Sequence, residues 1–336
     1  MKPRAATPLL PFLLLLAACS AAPPAEPASA SAPVSASASA PVSASAPAPA
    51  PAVEVAVTVD DLPSHGPAFA GIDRAAIAER LLAAFRRHRL PPVYGFVNGK
   101  KVDVDPTLEP ILRLWRDAGN PLGNHTYSHP SLTGTSVPDY LADLEKGEEI
   151  LKKLEPDDSV FRVFRYPFLF EGDTLEKREA VRRYLAEHRY AIAEVTIDAD
   201  DWAYNPPFAR CTERADAAAL ASLRRSFVEG HVEELRRVRE LAQRLVHREV
   251  RHVLLLHIGA ADADAIEELL TAYEGEGVRW IDLRTALADP FYAIDPAQPA
   301  RYGAAFPYLL AKARGVSAPP AVFARGLEER LEQVCR

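Results

Sequence analysis

The stretch VEVAVTVDDLPSHG, residues 53–66, decides how the rest of the chain is read. Residues 53–59 form a valine-rich run that fits a buried strand, and Asp60 and Asp61 end it ahead of the turn formers Pro63 and Gly66. Adjacent carboxylates repel, and each costs free energy if drawn out of water without a partner. Successive strand side chains face opposite ways, so both can serve one site only because the strand is ending there.

Working outward, further strand-like runs begin at residue 92 (PVYGFVN), 161 (FRVFRYP), 190 (YAIAEVTID), 251 (RHVLLLHIG) and 278 (VRWIDL). Amphipathic, helix-like stretches occupy 73–88, 108–117, 137–154, 173–187, 215–247 and 261–274. Repeated β–α units predict a parallel sheet covered on both faces, either a barrel or an open doubly wound sheet. In both, chemistry collects where strands end and loops begin. Residues 294–336 read as a partly helical appendage.

The first residues carry a different message. Lys2 and Arg4 precede an apolar stretch, LLPFLLLLAAC, too short to span a bilayer, which predicts an export signal over residues 1–18. LAAC resembles a bacterial lipobox in which Cys19 would carry a lipid; the alternative is an ordinary cleaved signal with a chance cysteine. Residues 19–52 are almost pure Ala, Pro and Ser, a composition that buries no core and predicts an extended tether. The expected product is a domain over residues 53–293, hung from a membrane in the cell envelope. Ser20 after Cys19 suits outer-membrane retention if the host has two membranes. A formal charge of −7 without a basic stripe argues against nucleic acid as a partner. With Cys19 given to lipid, Cys211 and Cys335 remain, as a disulfide or as two free thiols.

In GNHTYSHPSL, the spacing of His125 and His129 would let both imidazoles fall on one side of a helical turn. A His pair with one carboxylate is a common zinc set that leaves a position open for water. The same spacing occurs by chance on solvated helices, but Gly123, Asn124 and Pro130 mark a loop. Later strands end on Arg165 (FRYPF), on Asp198, Asp201 and Trp202 (IDADDW), and on His257 (LLLHIG). Taken singly, these could be a surface cation, a core filler and a satisfied histidine. Ionisable groups at the ends of so many separate strands predict one active site.

Taken in order, TVDD, HTYSH, RYPF, DADDW and LLLH resemble the motifs of the polysaccharide deacetylases, the NodB-homology domain of carbohydrate esterase family four, over residues 53–287. The resemblance implies an α/β fold, a distorted (β/α) barrel, and metal-dependent removal of N-acetyl, or O-acetyl, groups from an acetylated polysaccharide. It implies Asp61, His125 and His129 as ligands of a divalent metal, usually zinc, with cobalt, nickel or manganese as alternatives. Asp60 would be the general base, His257 the general acid, Arg165 the residue that tunes the base and Asp201 the support of the acid. Trp202, Phe168 and Tyr166 would lie on the substrate side, with a backbone N–H near Phe168 facing the developing oxyanion.

The chain departs from the family pattern in places. Leu62 stands where a glycine usually follows the aspartates, Tyr166 where many members have proline, and Ile258-Gly259 where an acidic residue is more usual. LPSHG brings His65 near the rim, where it caps the loop or touches substrate. His88, His188, His231, His247 and His252 sit among charges and are expected to be solvated. A tethered envelope protein has peptidoglycan in reach, so N-acetylglucosamine or N-acetylmuramic acid residues are the expected target. The alternatives are a metal hydrolase of a small amide or cyclic imide on the same scaffold, and a catalytically idle glycan-binding lipoprotein.

Overall fold

Alternate residues of the first strand sort to two sides, and that sorting builds the domain. The computed structural model describes residues 52–67, 72–318 and 326–336; the expected signal, Cys19 and the tether up to residue 51 lie outside them. Seven strands form one sheet: β1 (Val53–Leu62), β2 (Tyr94–Val97), β3 (Leu122–Asn124), β4 (Val163–Phe164), β5 (Ala191–Ile192), β6 (His252–His257) and β7 (Val278–Trp280). Every pairing is parallel, in the order β5-β4-β3-β2-β1-β6, with β7 against the start of β1. Beyond β5 the chain returns to β6: Ile197 donates to Val253 O at 3.0 Å, and Leu255 N donates back to Ile197 O at 3.0 Å. The sheet therefore curls into the distorted (β/α) barrel that the sequence implied.

Period-two alternation assigns the two faces. Val53, Val55, Val57 and Val59 pack outward in the main apolar cluster with helix residues such as Leu81, Leu82, Leu112 and Leu269. Ala56 belongs to a second cluster with Phe96, Val163, Ala193 and Val253, which fills the barrel. Thr58 and Asp60 continue the inward series of β1, Arg165 follows Val163, and His257 follows Val253 and Leu255. One end of the barrel interior is thus polar because inward positions at the strand ends carry ionisable residues.

The helices Arg74–Arg87, Glu109–Asp117, Val137–Leu154, Leu175–Glu187, Ala217–Val246 and Ala260–Gly275 fall within a few residues of the expected stretches. Strand β3 was not foreseen, because three residues containing Gly123 and Asn124 carry no apolar run. Cys211 and Cys335 form a disulfide, which resolves the alternative of free thiols. Phe306 and Leu310, on the helix Phe306–Arg314, pack with Leu241 and Leu245, and Phe306 N donates to Val195 O at 2.7 Å. Among the described residues, no helix is long and apolar enough to cross a membrane.

Two of the five histidines expected to be solvated are buried. His231 lies on the inner face of the helix Ala217–Val246, four residues from both Phe227 and Leu235, and donates from Nδ1 to Phe227 O at 2.7 Å. His252 opens β6 inside the sheet, against Thr196 and Glu249. Charged neighbours along the sequence hid both, because a helix or strand surrounded by structure buries one face regardless of the charges on the other.

Candidate active site

The aspartates that end β1 reach one cavity because the strand breaks its pleat between them. Asp60 is still in register, paired with His257 of β6. Asp61 has φ 70°, a left-handed conformation that aspartate tolerates better than most residues, so its carboxyl turns to the same mouth instead of the opposite face. Both carboxylates are buried, together with His125 and Arg165. A cavity of about 360 Å³ opens over them, bordered by His65, His129, Phe168, Trp202 and His257 among others.

Arg165 organises Asp60. Its Nη1 lies 3.1 Å from each carboxylate oxygen, Nη2 donates to Thr58 Oγ1 at 3.0 Å, and Nε donates to Ala193 O at 2.6 Å. The guanidinium stacks over Phe96, 4.7 Å from the ring centroid. Burial pushes the Asp60 carboxyl up, Arg165 and His257 offset part of that, and the result is a pKa of about 6. Removing one member of such a buried pair costs about 3–5 kcal/mol, because the other charge is left uncompensated.

The two histidines do not share a helical turn, which corrects that expectation. His125 follows β3 directly, and Thr126 and His129 adopt left-handed φ of 65° and 61°. The loop is held by Asn124 Oδ1, which accepts from Thr126 N at 2.8 Å, and by Asn98 Nδ2, which donates to His125 O at 2.7 Å. It presses so closely on the helix Val137–Leu154 that a Cβ at Gly147 would lie 2.9 Å from the Thr126 carbonyl carbon. His125 Nδ1 donates to Arg165 O at 2.8 Å, which leaves Nε2 as a lone pair 3.7 Å from Asp60 Oδ2 and 3.9 Å from Asp61 Oδ1. His129 Nε2 lies 3.6 Å from Asp61 Oδ1.

These donors suit a divalent cation. One ligand atom each from Asp61, His125 and His129 lies within 4.8 Å of the others, and Asp61 Oδ1 is buried without a hydrogen-bond partner among the described residues. Burial holds both imidazoles neutral, His125 well below the usual histidine range and His129 near 4, so each keeps a lone pair to offer. Asp61 keeps its charge: burial opposes ionisation, but the His65 hydrogen bond and Lys101 hold the carboxyl well below the usual range. Lys101 was not singled out in the sequence, and His65 was expected only to cap its loop or touch substrate. Lys101 Nζ donates to Asp61 O at 2.9 Å and lies 3.3 Å from Oδ1. His65 ties back across its own turn: Nδ1 contacts Asp61 Oδ2 at 2.6 Å, and its ring sits 4.6 Å from that of His257. Asp61, His65 and His257 also gather within metal distance, but His65 and His257 each direct Nδ1 to a carboxylate already.

On the opposite wall, Asp201 grips His257 twice, accepting from the backbone N at 2.6 Å and from Nδ1 at 2.8 Å. Asp201 opens a tight helical turn behind Asp200, whose φ of 52° is left-handed. Phe168 and Trp202 stand at the rim, 52% and 39% exposed. Tyr166 does not join them. Its ring is buried against Phe164, in a cluster with Leu132 and Tyr140, so it does not border the cavity as expected. Leu169, Phe170 and Gly303 border it instead. Nothing local in their sequence marks them, because only folding brings the segment near residue 303 onto the Phe168 loop.

Comparison with known proteins agrees with the motif resemblance. Residues 48–185 match the family described as polysaccharide deacetylase. The chain is 28% identical over 149 residues to a peptidoglycan-N-acetylglucosamine deacetylase from Bacillus cereus, covering 44% of this chain and 46% of that protein. It is 29% identical over 150 residues to the peptidoglycan-N-acetylmuramic acid deacetylase PdaC from Bacillus subtilis, covering 44% of this chain and 26% of that protein. The chain therefore spans less than half the length of either relative. A crystal structure of the polysaccharide deacetylase Bc1974 from Bacillus cereus aligns at 16% identity with a TM-score of 0.48, covering 69% of this chain and 91% of that one.

Proposed function

We propose that this protein is a metal-dependent deacetylase that hydrolyses N-acetyl groups on a cell-envelope polysaccharide, with the amino sugars of peptidoglycan as its substrate. The observation that carries this reading is the pairing of Asp60 and His257 as register neighbours on β1 and β6, beside the donor set Asp61, His125 and His129. Amide hydrolysis needs one group to take a proton from water and another to give one to the departing amine, and the two must flank the same carbonyl.

A divalent metal bound by Asp61, His125 and His129, zinc in our reading, supplies Lewis-acid activation of water and of the acetyl carbonyl. Asp60 then accepts the water proton on a carboxylate that Arg165 holds by both oxygens. His257 donates a proton to the sugar nitrogen as the amide bond breaks, with its ring fixed through Nδ1 by Asp201. An amine is a poor leaving group unless protonated, so without this donor the tetrahedral species would expel water again. Phe168 and Trp202 at the rim give the acetyl methyl an apolar wall. The relatives named above act on peptidoglycan amino sugars, which supports the substrate class. The export signal and lipidation at Cys19 would hang the domain from an envelope membrane within reach of that polymer.

The test is acetate release from N-acetylglucosamine oligomers and from purified peptidoglycan, with and without chelator, on wild type and Asp60→Asn. Chelator-sensitive acetate that Asp60→Asn abolishes is expected. No acetate from any acetylated glycan, with turnover of small amides or cyclic imides instead, would replace this reading with the small-amide hydrolase.

A further inference from the structure

Behind His257 lies a second buried carboxyl that the proposed chemistry does not use. Asp262 sits in the first turn of the helix Ala260–Gly275 and is as thoroughly buried as Asp201. Asp262 Oδ1 is buried and has no hydrogen-bond donor among the described residues, and the Asp201 carboxyl is the neighbour to which a protonated Asp262 would donate. The structure gives neither one a lysine or arginine partner among the described residues. At most one cation, a protonated His257, meets the pair, and one positive charge does not support two buried carboxylates in contact, so the pair holds one proton.

The donors around each carboxyl decide where that proton rests. Asp201 accepts from His257 N, His257 Nδ1 and the backbone N–H of Trp202. Among the described residues, Asp262 accepts only from Asn205 Nδ2, at 3.3 Å through Oδ2. A carboxylate is stabilised by the donors aimed at it, so Asp201 keeps the charge and Asp262 keeps the proton. Burial, and next the charge of Asp201, hold Asp262 well above the usual carboxyl range. Besides this pair, the titratable groups facing it are His257 on β6, His65 after β1 and Asp198 after β5.

The packing is built around this acid. Asn205 is itself buried, and its Oδ1 accepts from Ala261 N at 3.0 Å, which fixes the amide so that Nδ2 faces Asp262. A Cβ on Gly259 would lie 2.3 Å from Asp262 Oδ2 and 2.4 Å from Asn205 Nδ2. Gly259 is therefore the space that the Asp262–Asn205 contact occupies. The position after His257 carries no acid, and the helix that follows supplies one from behind.

We propose that Asp262 is a positioning residue for the reaction: as a neutral acid its O–H donates to the Asp201 carboxylate, fixing the face that Asp201 presents to His257. The proton stays on Asp262 through turnover; the proton delivered to substrate comes from the far side of the His257 ring. This inference rests on the reading of His257 as the general acid.

The test uses the full-length protein with substrate-free NMR and kinetics on wild type, Asp262→Asn and Asp262→Ala. Asparagine keeps the shape and a donor, so the downfield proton resonance of His257 Nδ1–H stays in place and kcat stays within about threefold. Alanine removes the donor, so that resonance shifts or broadens and kcat falls roughly tenfold or more with KM unchanged, the size expected when a group that orients a catalytic side chain is lost. An unmoved resonance in Asp262→Ala, or an equal change in both variants, overturns the proposal. So does a carboxyl carbon resonance showing Asp262 ionised at neutral pH in wild type, a measurement that needs no variant to fold. Because the resonances are read without substrate, they decide the role of Asp262 even if no glycan is deacetylated.

Discussion

Arg165 Nη1 lies 3.1 Å from both carboxylate oxygens of Asp60, and the two residues are 105 positions apart in the chain. In the proposed reaction this contact would set the pH at which Asp60 acts as a base. Burial raises the carboxyl to about 6, and Arg165 is the largest influence opposing it. A base works only when ionised, so activity rises with pH as Asp60 loses its proton. Arg165→Gln removes the opposing cation and should move this acid limb upward by roughly one unit or more, with Arg165→Lys intermediate. Coincident pH profiles for all three proteins would show that Arg165 does not tune Asp60.

The neighbouring aspartates should separate in their roles. Asp61→Ala removes an anionic donor from the Asp61, His125 and His129 set, so bound zinc, measured by mass spectrometry of the dialysed protein, should be lost. Asp60→Asn leaves that set intact and should retain zinc while kcat falls by about 10²–10⁴. Equal zinc content and equal activity in both variants would contradict the division between them.

His231 should make stability depend on pH. Burial lowers it from 6.5 to about 4, and its Nε2 has no hydrogen-bond partner among the described residues, so the folded protein holds it neutral. Between those values the unfolded chain binds the extra proton and the folded one does not. Stability present above pH 6.5 is therefore lost as pH falls towards 4, by roughly 3 kcal/mol for this group. His125 and His129 act in the same direction. Urea unfolding of His231→Phe at pH 7 and at pH 4.5 should show a smaller loss than wild type by about that amount.

The Cys211–Cys335 disulfide closes a loop of 124 residues in sequence separation. In the chain-entropy account such a closure is worth about 4–5 kcal/mol. Arg210 braces the same end of the chain, donating to Leu331 O at 2.9 Å and to Val334 O at 3.0 Å. Cys335→Ser should lower the melting temperature to match reduced wild type, and reductant should leave the variant unchanged. An unaltered melting temperature would mean that Arg210 and the packing around it suffice.

Much of the barrel was legible because strand and helix periods are local properties. The valines of β1, the apolar run of β6 and the helix Val137–Leu154 announce themselves in short windows of sequence. So do the ionisable residues that end the strands. What stayed hidden has no local signal. Strand β3 is three residues held by its neighbours, the histidine loop turns through two left-handed residues, and the ring of Tyr166 is turned into the core. Lys101 and Asp262 look like ordinary charges until folding places them against Asp61 and Asp201.

The sequence alone determined that two aspartates end a buried strand and that histidines, an arginine and a further aspartate end others. It could not determine how the aspartates avoid repelling each other, because their partners are distant in the chain. Folding turns Asp61 through a left-handed φ towards His65, Lys101 and the histidine pair, and leaves Asp60 between Arg165 and His257. Each charge is thereby given its own set of partners. Only tertiary structure could decide that, since electrostatics in a low-dielectric interior follows distance in space and not position along the chain.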